Sequence, residues 1–221
     1  MPEQVWADVD EFFTSNLLPA DDVMRATLET NVAEELPPIA VTPLQGKLLH
    51  LLARACGARH ILEIGTLGAY STIWLARALA PGGRLITLEI DLHHAEVARR
   101  NLARAKLSDR VEVRVGRASE LLDAMQGFVD PFDFVFIDAD KASSDVYFKA
   151  VLEMSHPGTV IIVDNVVRSG KVAEAASGDE DVEGIRRMTE WIATQPNITA
   201  TAIQTVGEKS YDGFLMGIVT Q

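Results

Sequence analysis

Two apolar runs in this chain end in oxygen-bearing side chains: Asp138 follows 132–137 (FDFVFI), and Asp164 with Asn165 follows 160–163 (VIIV). Three hard oxygens without His or Cys suit Mg²⁺, Mn²⁺ or Ca²⁺ rather than zinc or copper, and they leave coordination room for water and an oxygen-bearing substrate. Asp and Asn at strand ends serve equally as helix and turn caps. Lys141, three residues past Asp138, points into the same pocket if the chain turns helical there. Beside a divalent ion its charged form is disfavoured, which suits a general base for a metal-acidified phenolic hydroxyl. The alternative is a surface lysine paired with Asp138 or Asp140. A second group opens with Glu63-Ile64-Gly65-Thr66-Leu67-Gly68-Ala69-Tyr70-Ser71. Its glycines permit a tight turn and close backbone approach before a helix whose N-terminus could receive a carboxylate. The spacing is not the G-x-G-x-x-G of a dinucleotide cradle, and a purely structural turn reads the same way. Glu89 lies 24 residues after Gly65, where an acid accepts hydrogen bonds from ribose hydroxyls, while Asp91 fits better as a helix cap. Turn and acid together point to an adenosine-containing ligand.

The elements that must carry these groups follow from periodicity. Helices are expected over 44–55, 71–79, 92–105, 119–125 and 146–154, alternating with strands over 60–64, 84–89, 111–115, 132–137 and 160–163. Such alternation means βαβ units and a parallel sheet, with ligand sites outside the carboxyl ends of its strands. Residues 169–184 (SGKVAEAASGDEDVEG) read as a mobile loop before a helix over 185–192. Runs 198–206 and 213–219, joined by GEKSYD, read as an edge hairpin. The fold class expected is therefore α/β with helices on both sheet faces. The 221 residues are expected to form one domain, with 1–42 as a helical cap or dimer segment, closed by Leu36-Pro37-Pro38, and 43–221 as the core. His93 and His94 read as solvated, and Trp74 and Trp191 as core or interface.

Composition narrows the partners. With 48% apolar and 24% charged residues the chain is an ordinary globular protein, and a net charge of −12 disfavours nucleic acid and anionic membranes. The single Cys56 offers neither an internal disulfide nor a zinc cluster, and the acidic opening MPEQVWADVDEFF reads as neither signal peptide nor span, so a cytoplasmic setting is expected.

Taken in order, LPPIAVTPLQGKLL, ILEIGTLGAYSTIWLA, LITLEID, VEVRVGRASELL, FDFVFIDADK and VIIVDNVV resemble the cation-dependent, S-adenosylmethionine-using O-methyltransferases of the catechol and caffeoyl-CoA type and their bacterial relatives. The resemblance runs from about Glu35 to the C-terminus. It implies a Rossmann-like seven-stranded, mostly parallel sheet ending in an antiparallel hairpin. It implies Glu63 and Gly65 around the methionine end of S-adenosylmethionine, Ser71 holding its carboxylate, Val41 giving backbone contacts, and Thr66 and Tyr70 as further cofactor-binding residues. Glu89 would take the ribose, Ile90 and Ala118 the adenine; Asp138, Asp164 and Asn165 would hold the metal, magnesium first. Lys141 would be the base, with Asp138 also near the sulfonium. Relatives commonly place Gly directly before Tyr-Ser, whereas this chain has Ala69 there, and the match is weakest over 1–40 and 169–184. Relatives often dimerise. Methyl transfer from sulfur to oxygen is an in-line displacement that demands alignment, and a chelating metal calls for vicinal hydroxyls on a small phenolic acceptor. NAD-dependent oxidoreduction lacks its third glycine here. Base N-methylation lacks its Pro-Pro-aromatic motif. A non-catalytic adenosyl-binding protein remains the other alternative.

Overall fold

The computed structural model describes residues 2–174 and 177–221. Seven strands, β1 His60–Ile64, β2 Arg84–Glu89, β3 Val111–Val115, β4 Phe132–Ile137, β5 Ser155–Asp164, β6 Ile198–Gly207 and β7 Ser210–Val219, form one sheet in the order β3-β2-β1-β4-β5-β7-β6. The first five pair in parallel, and β7 enters antiparallel between β5 and β6. Among the described residues eight α-helices accompany them: α1 Pro2–Leu17, α2 Asp22–Ala33, α3 Pro43–Ala55, α4 Tyr70–Ala78, α5 Leu92–Arg104, α6 Ala118–Met125, α7 Ser144–Glu153 and α8 Glu180–Ile192.

The near-continuous apolar strands are those of a sheet covered on both faces. Phe134, Phe136 and Ile61 point into one core, shared with Leu49 of α3, Ile73 of α4 and Leu102 of α5. Their neighbours Val135, Ile137 and Leu62 point into the other, with Leu122 of α6, Phe148 of α7 and Met188 of α8. Alternation along each strand thus builds two helical layers around one sheet.

Three boundaries differ from expectation by three residues or more. Strand β5 begins at Ser155 rather than 160, before the covered run. The hairpin strands extend to Gly207 and Ser210, leaving only Glu208 and Lys209 at the tip instead of a six-residue turn. The segment expected as a loop over 169–184 starts with 3-10 turns at Arg168–Ala173 and enters α8 already at Glu180. Asp179 caps that helix by accepting the Asp181 N–H at 3.1 Å, and Glu180, Asp181 and Glu183 complement its dipole, a favourable start that the acidic composition concealed. Residues 175 and 176, part of the expected loop, lie outside the described residues.

Candidate active site

The carboxyl edge of the sheet opens onto a cavity of about 790 Å³. Its floor is the turn after β1. Gly65 sits at φ +100°, and a Cβ there would overlap the carbonyl oxygen of Asp138, so only glycine lets the ends of β1 and β4 approach this closely. Ala69 occupies the left-handed region at φ 69°, ψ 25°, the conformation that glycine adopts most readily. Gly68 has another reason: an added Cβ would collide with the Asn31 side chain. Asn101 ties these parts together, its Nδ2 donating to the Gly68 carbonyl at 2.9 Å and to Asn31 Oδ1 at 3.2 Å. The amino-terminal helix α2 thereby braces the turn. Helix α4 starts with no side-chain cap, so its first N–H groups and dipole are available to an anion.

Glu63 is fully buried and does not line the cavity. Its carboxylate accepts from Ser71 at 2.6 Å, Thr72 at 2.5 Å and Thr87 at 2.7 Å. Burial pushes its pKa up to about 7; the three hydroxyls oppose that shift and the Asp138 charge adds to it. It acts on the cavity through Ser71, which does line it. Glu89 lines the wall at the end of β2, where Oε2 takes the N–H groups of Thr66 at 3.2 Å and Leu67 at 2.7 Å. One acid therefore both shapes the turn and faces the ligand space.

Val41, Gly65, Thr66, Tyr70, Ser71, Ile90 and Ala118 line the cavity together with Glu89. Asp138, Lys141 and Asn165 line it too, Asp138 directly beside the Gly65 turn. Ile137 pairs with Val163, so Asp138 and Asp164 follow the same rung on adjacent strands. Asp164 sits behind the lining, 5% exposed, and accepts from Gln45 Nε2 at 2.6 Å and from the Asn165 N–H at 2.9 Å. Burial, then the nearby Asp138 charge, pushes its pKa up to about 7 despite the pull of Lys141. Lys141 Nζ donates to Asp138 Oδ1 at 2.7 Å, the pairing that the alternative reading also expected, but its side chain is only 8% exposed, so it is not a surface lysine. Asn165 holds φ 56°, a left-handed value that asparagine tolerates.

Other residues at the site carried no sequence signal. His94, expected to be solvated, lines the cavity with Nδ1 3.7 Å from Glu89 Oε1, because the first turn of α5 faces the end of β2. Tyr147 donates to Asp140, and burial followed by that carboxylate raises its pKa to about 12. Arg168 from the 3-10 segment and Asp181 from the first turn of α8, paired at 2.8 Å, reach the cavity as well. Among the described residues no three His, Cys, Asp or Glu side chains converge as metal ligands, so any cation here would draw on the Asn165 oxygen.

A parallel sheet with a cofactor-sized cavity at its carboxyl edge, a glycine turn and an acid on the next strand defines an α/β protein built for a nucleoside-bearing ligand. Comparison with known proteins specifies the chemistry. The O-methyltransferase family pattern matches residues 15–212. A catechol O-methyltransferase of Mycobacterium tuberculosis is 50% identical over 212 residues, 96% of this chain and 95% of its own. The crystal structure of an O-methyltransferase from Bacillus cereus in complex with SAH superposes with a TM-score of 0.97 at 52% identity, covering 99% of this chain and 100% of that one. An O-methyltransferase from Streptomyces achromogenes, in complex with SAM, superposes at 0.97 with 46% identity over 100% of both chains. The chain belongs to the O-methyltransferase family, which sets aside the oxidoreductase reading.

Proposed function

We propose that the chain transfers a methyl group from S-adenosylmethionine to one hydroxyl of a small molecule bearing two vicinal hydroxyls, with a divalent cation at Asp138, Asp164 and Asn165. The observation carrying this reading is the pair of neighbouring carboxylates at the ends of β4 and β5: Asp138 lines the cavity with Glu89 and the glycine turn, and Asp164, almost wholly buried and in repulsion with it, lies just behind that lining. Two crowded carboxylates and an amide oxygen are a donor set that a hard cation relieves of its repulsion. That cation, magnesium first and manganese or calcium otherwise, would act as a Lewis acid that orients the two hydroxyls and favours ionisation of one.

This chain's own residues supply the rest. The uncapped start of α4 receives the carboxylate of the methyl donor, with the Ser71 hydroxyl oriented by Glu63. Glu89 accepts the ribose hydroxyls between Ile90 and Ala118. Lys141, held by Asp138, takes the proton of the attacking hydroxyl and is shielded from bulk water. The apolar side chains that α1 leaves exposed, among them Phe12 at 63% and Leu17 at 64%, support a homodimer. The −12 charge supports a small phenolic acceptor rather than nucleic acid or membrane, and a cytoplasmic setting completes the reading. Among the described residues no helix is long and apolar enough to cross a membrane.

Methyl transfer to a catechol and to its meta isomer, followed by mass spectrometry with Mg²⁺ and with excess EDTA, tests the proposal. Turnover of the catechol alone, abolished by EDTA and by Asp164→Ala, is expected. Equal turnover of the meta isomer, or turnover indifferent to EDTA, would overturn it.

A further inference from the structure

The β6–β7 hairpin runs on past the carboxyl edge of the sheet. Asp164 at the end of β5 pairs with Phe214, yet the ladder of β6 with β7 continues to Gly207 opposite Ser210. At ~3.3 Å per residue the hairpin therefore extends about 13 Å past the last β5 rung, and its tip stands over the carboxyl edge. The tip is fixed from outside, since the Glu208 N–H donates to Asp10 of α1 at 2.9 Å and a Cβ on Gly207 would collide with that carboxylate.

From this tip Lys209 Nζ donates to the carbonyl oxygen of Ala40. Segment 36–42 has no regular secondary structure, yet its Ile39, Ala40 and Val41 form a wall of the cavity. Its backbone bonds are local, from the Leu36 N–H to Asn31 and from the Ile39 N–H to Pro37. Lys209 joins that wall to the sheet. Partial burial lowers the pKa of its ammonium while Glu208, Asp138 and Asp164 pull it upward, so the group stands in the field of both site carboxylates.

We propose that Lys209 is a positioning residue for methyl transfer: it latches the 39–41 wall of the cavity, and the adenosyl product leaves when this bond opens. The inference rests on the S-adenosylmethionine reading. A hydrogen bond from a charged donor at a partly exposed position corresponds to about a five- to tenfold change in affinity, expressed mainly in dissociation.

Calorimetry and a chase of labelled S-adenosylhomocysteine on the full chain read both quantities for Lys209→Met, Lys209→Arg and, as a control on the same turn, Glu208→Gln. Weaker binding and faster release in Lys209→Met are expected, with the KM for S-adenosylmethionine raised and kcat not reduced. Lys209→Arg restores retention, and Glu208→Gln matches the unmodified chain. Unchanged dissociation in Lys209→Met would refute the latch, and so would equal impairment in Lys209→Arg, which marks mere distortion of the tip. Failure of the unmodified chain to bind S-adenosylhomocysteine would sink the functional reading, and this inference with it.

Discussion

Glu63 makes stability depend on pH with a sign opposite to that of an ordinary paired carboxylate. Its pKa rises from 4.5 in an exposed chain to about 7 in the fold, because loss of water outweighs three hydroxyl donors. Between those values the native state keeps a proton that the unfolded chain has released, so unfolding becomes easier as pH rises. The contribution is fully present below about pH 4.5 and gone above about pH 7, and that gap at about 1.4 kcal/mol per pH unit amounts to about 3.5 kcal/mol. Glu63→Gln removes the titration while keeping the side-chain volume. Urea unfolding of both proteins in EDTA, from about pH 5 to pH 8, gives a difference curve in which the similarly raised Asp164 cancels. The unmodified chain should lose about 2.5 kcal/mol relative to Glu63→Gln across that range, the remainder of the effect lying below pH 5. A constant offset is immaterial, since Gln exchanges an acceptor for an amide donor; the slope decides. A flat difference, or one in which the unmodified chain gains stability with rising pH, would mean that the Ser71, Thr72 and Thr87 hydroxyls overcome burial, and the reasoning would fail.

Other substitutions examine the turn, the base and the assembly. Lys141→Met should lower kcat by about 10²- to 10⁴-fold while leaving the calorimetric affinity for S-adenosylhomocysteine nearly unchanged, as loss of a general base requires. Ala69→Gly should raise stability by about 1 kcal/mol, because it relieves a left-handed alanine at some cost in unfolded-state entropy; a lower melting temperature would contradict that account. Gly68→Ala should destabilise by about 1–3 kcal/mol through overlap with Asn31, and a double-mutant cycle with Asn31→Ala should recover part of the loss. Phe12→Glu should shift the chain toward monomer in light scattering if the exposed face of α1 pairs two copies.

The alternating apolar strands and helices of the sequence determined the α/β sheet, because a two-sided core leaves a periodicity that no tertiary contact is needed to read. The same local chemistry marked the strand-end residues Gly65, Glu89, Asp138, Asp164, Asn165 and Lys141, since a parallel sheet delivers its strand ends to one edge. Tertiary structure alone decided which of these face the cavity. Glu63 and Asp164 turn into the protein, where burial sets their protonation, while His94, Tyr147 and Arg168 reach the site from elements whose approach depends on packing. The reason Gly68 must be glycine lies in Asn31, 37 residues away in the chain. The start of α8 and the reach of the hairpin likewise rest on a cap and a ladder register, and small acidic residues or a turn-like hexapeptide do not disclose these before the chain is folded. Local periodicity encodes which elements form; long-range contact decides what each side chain meets, and at this site that sets charge, access and strain.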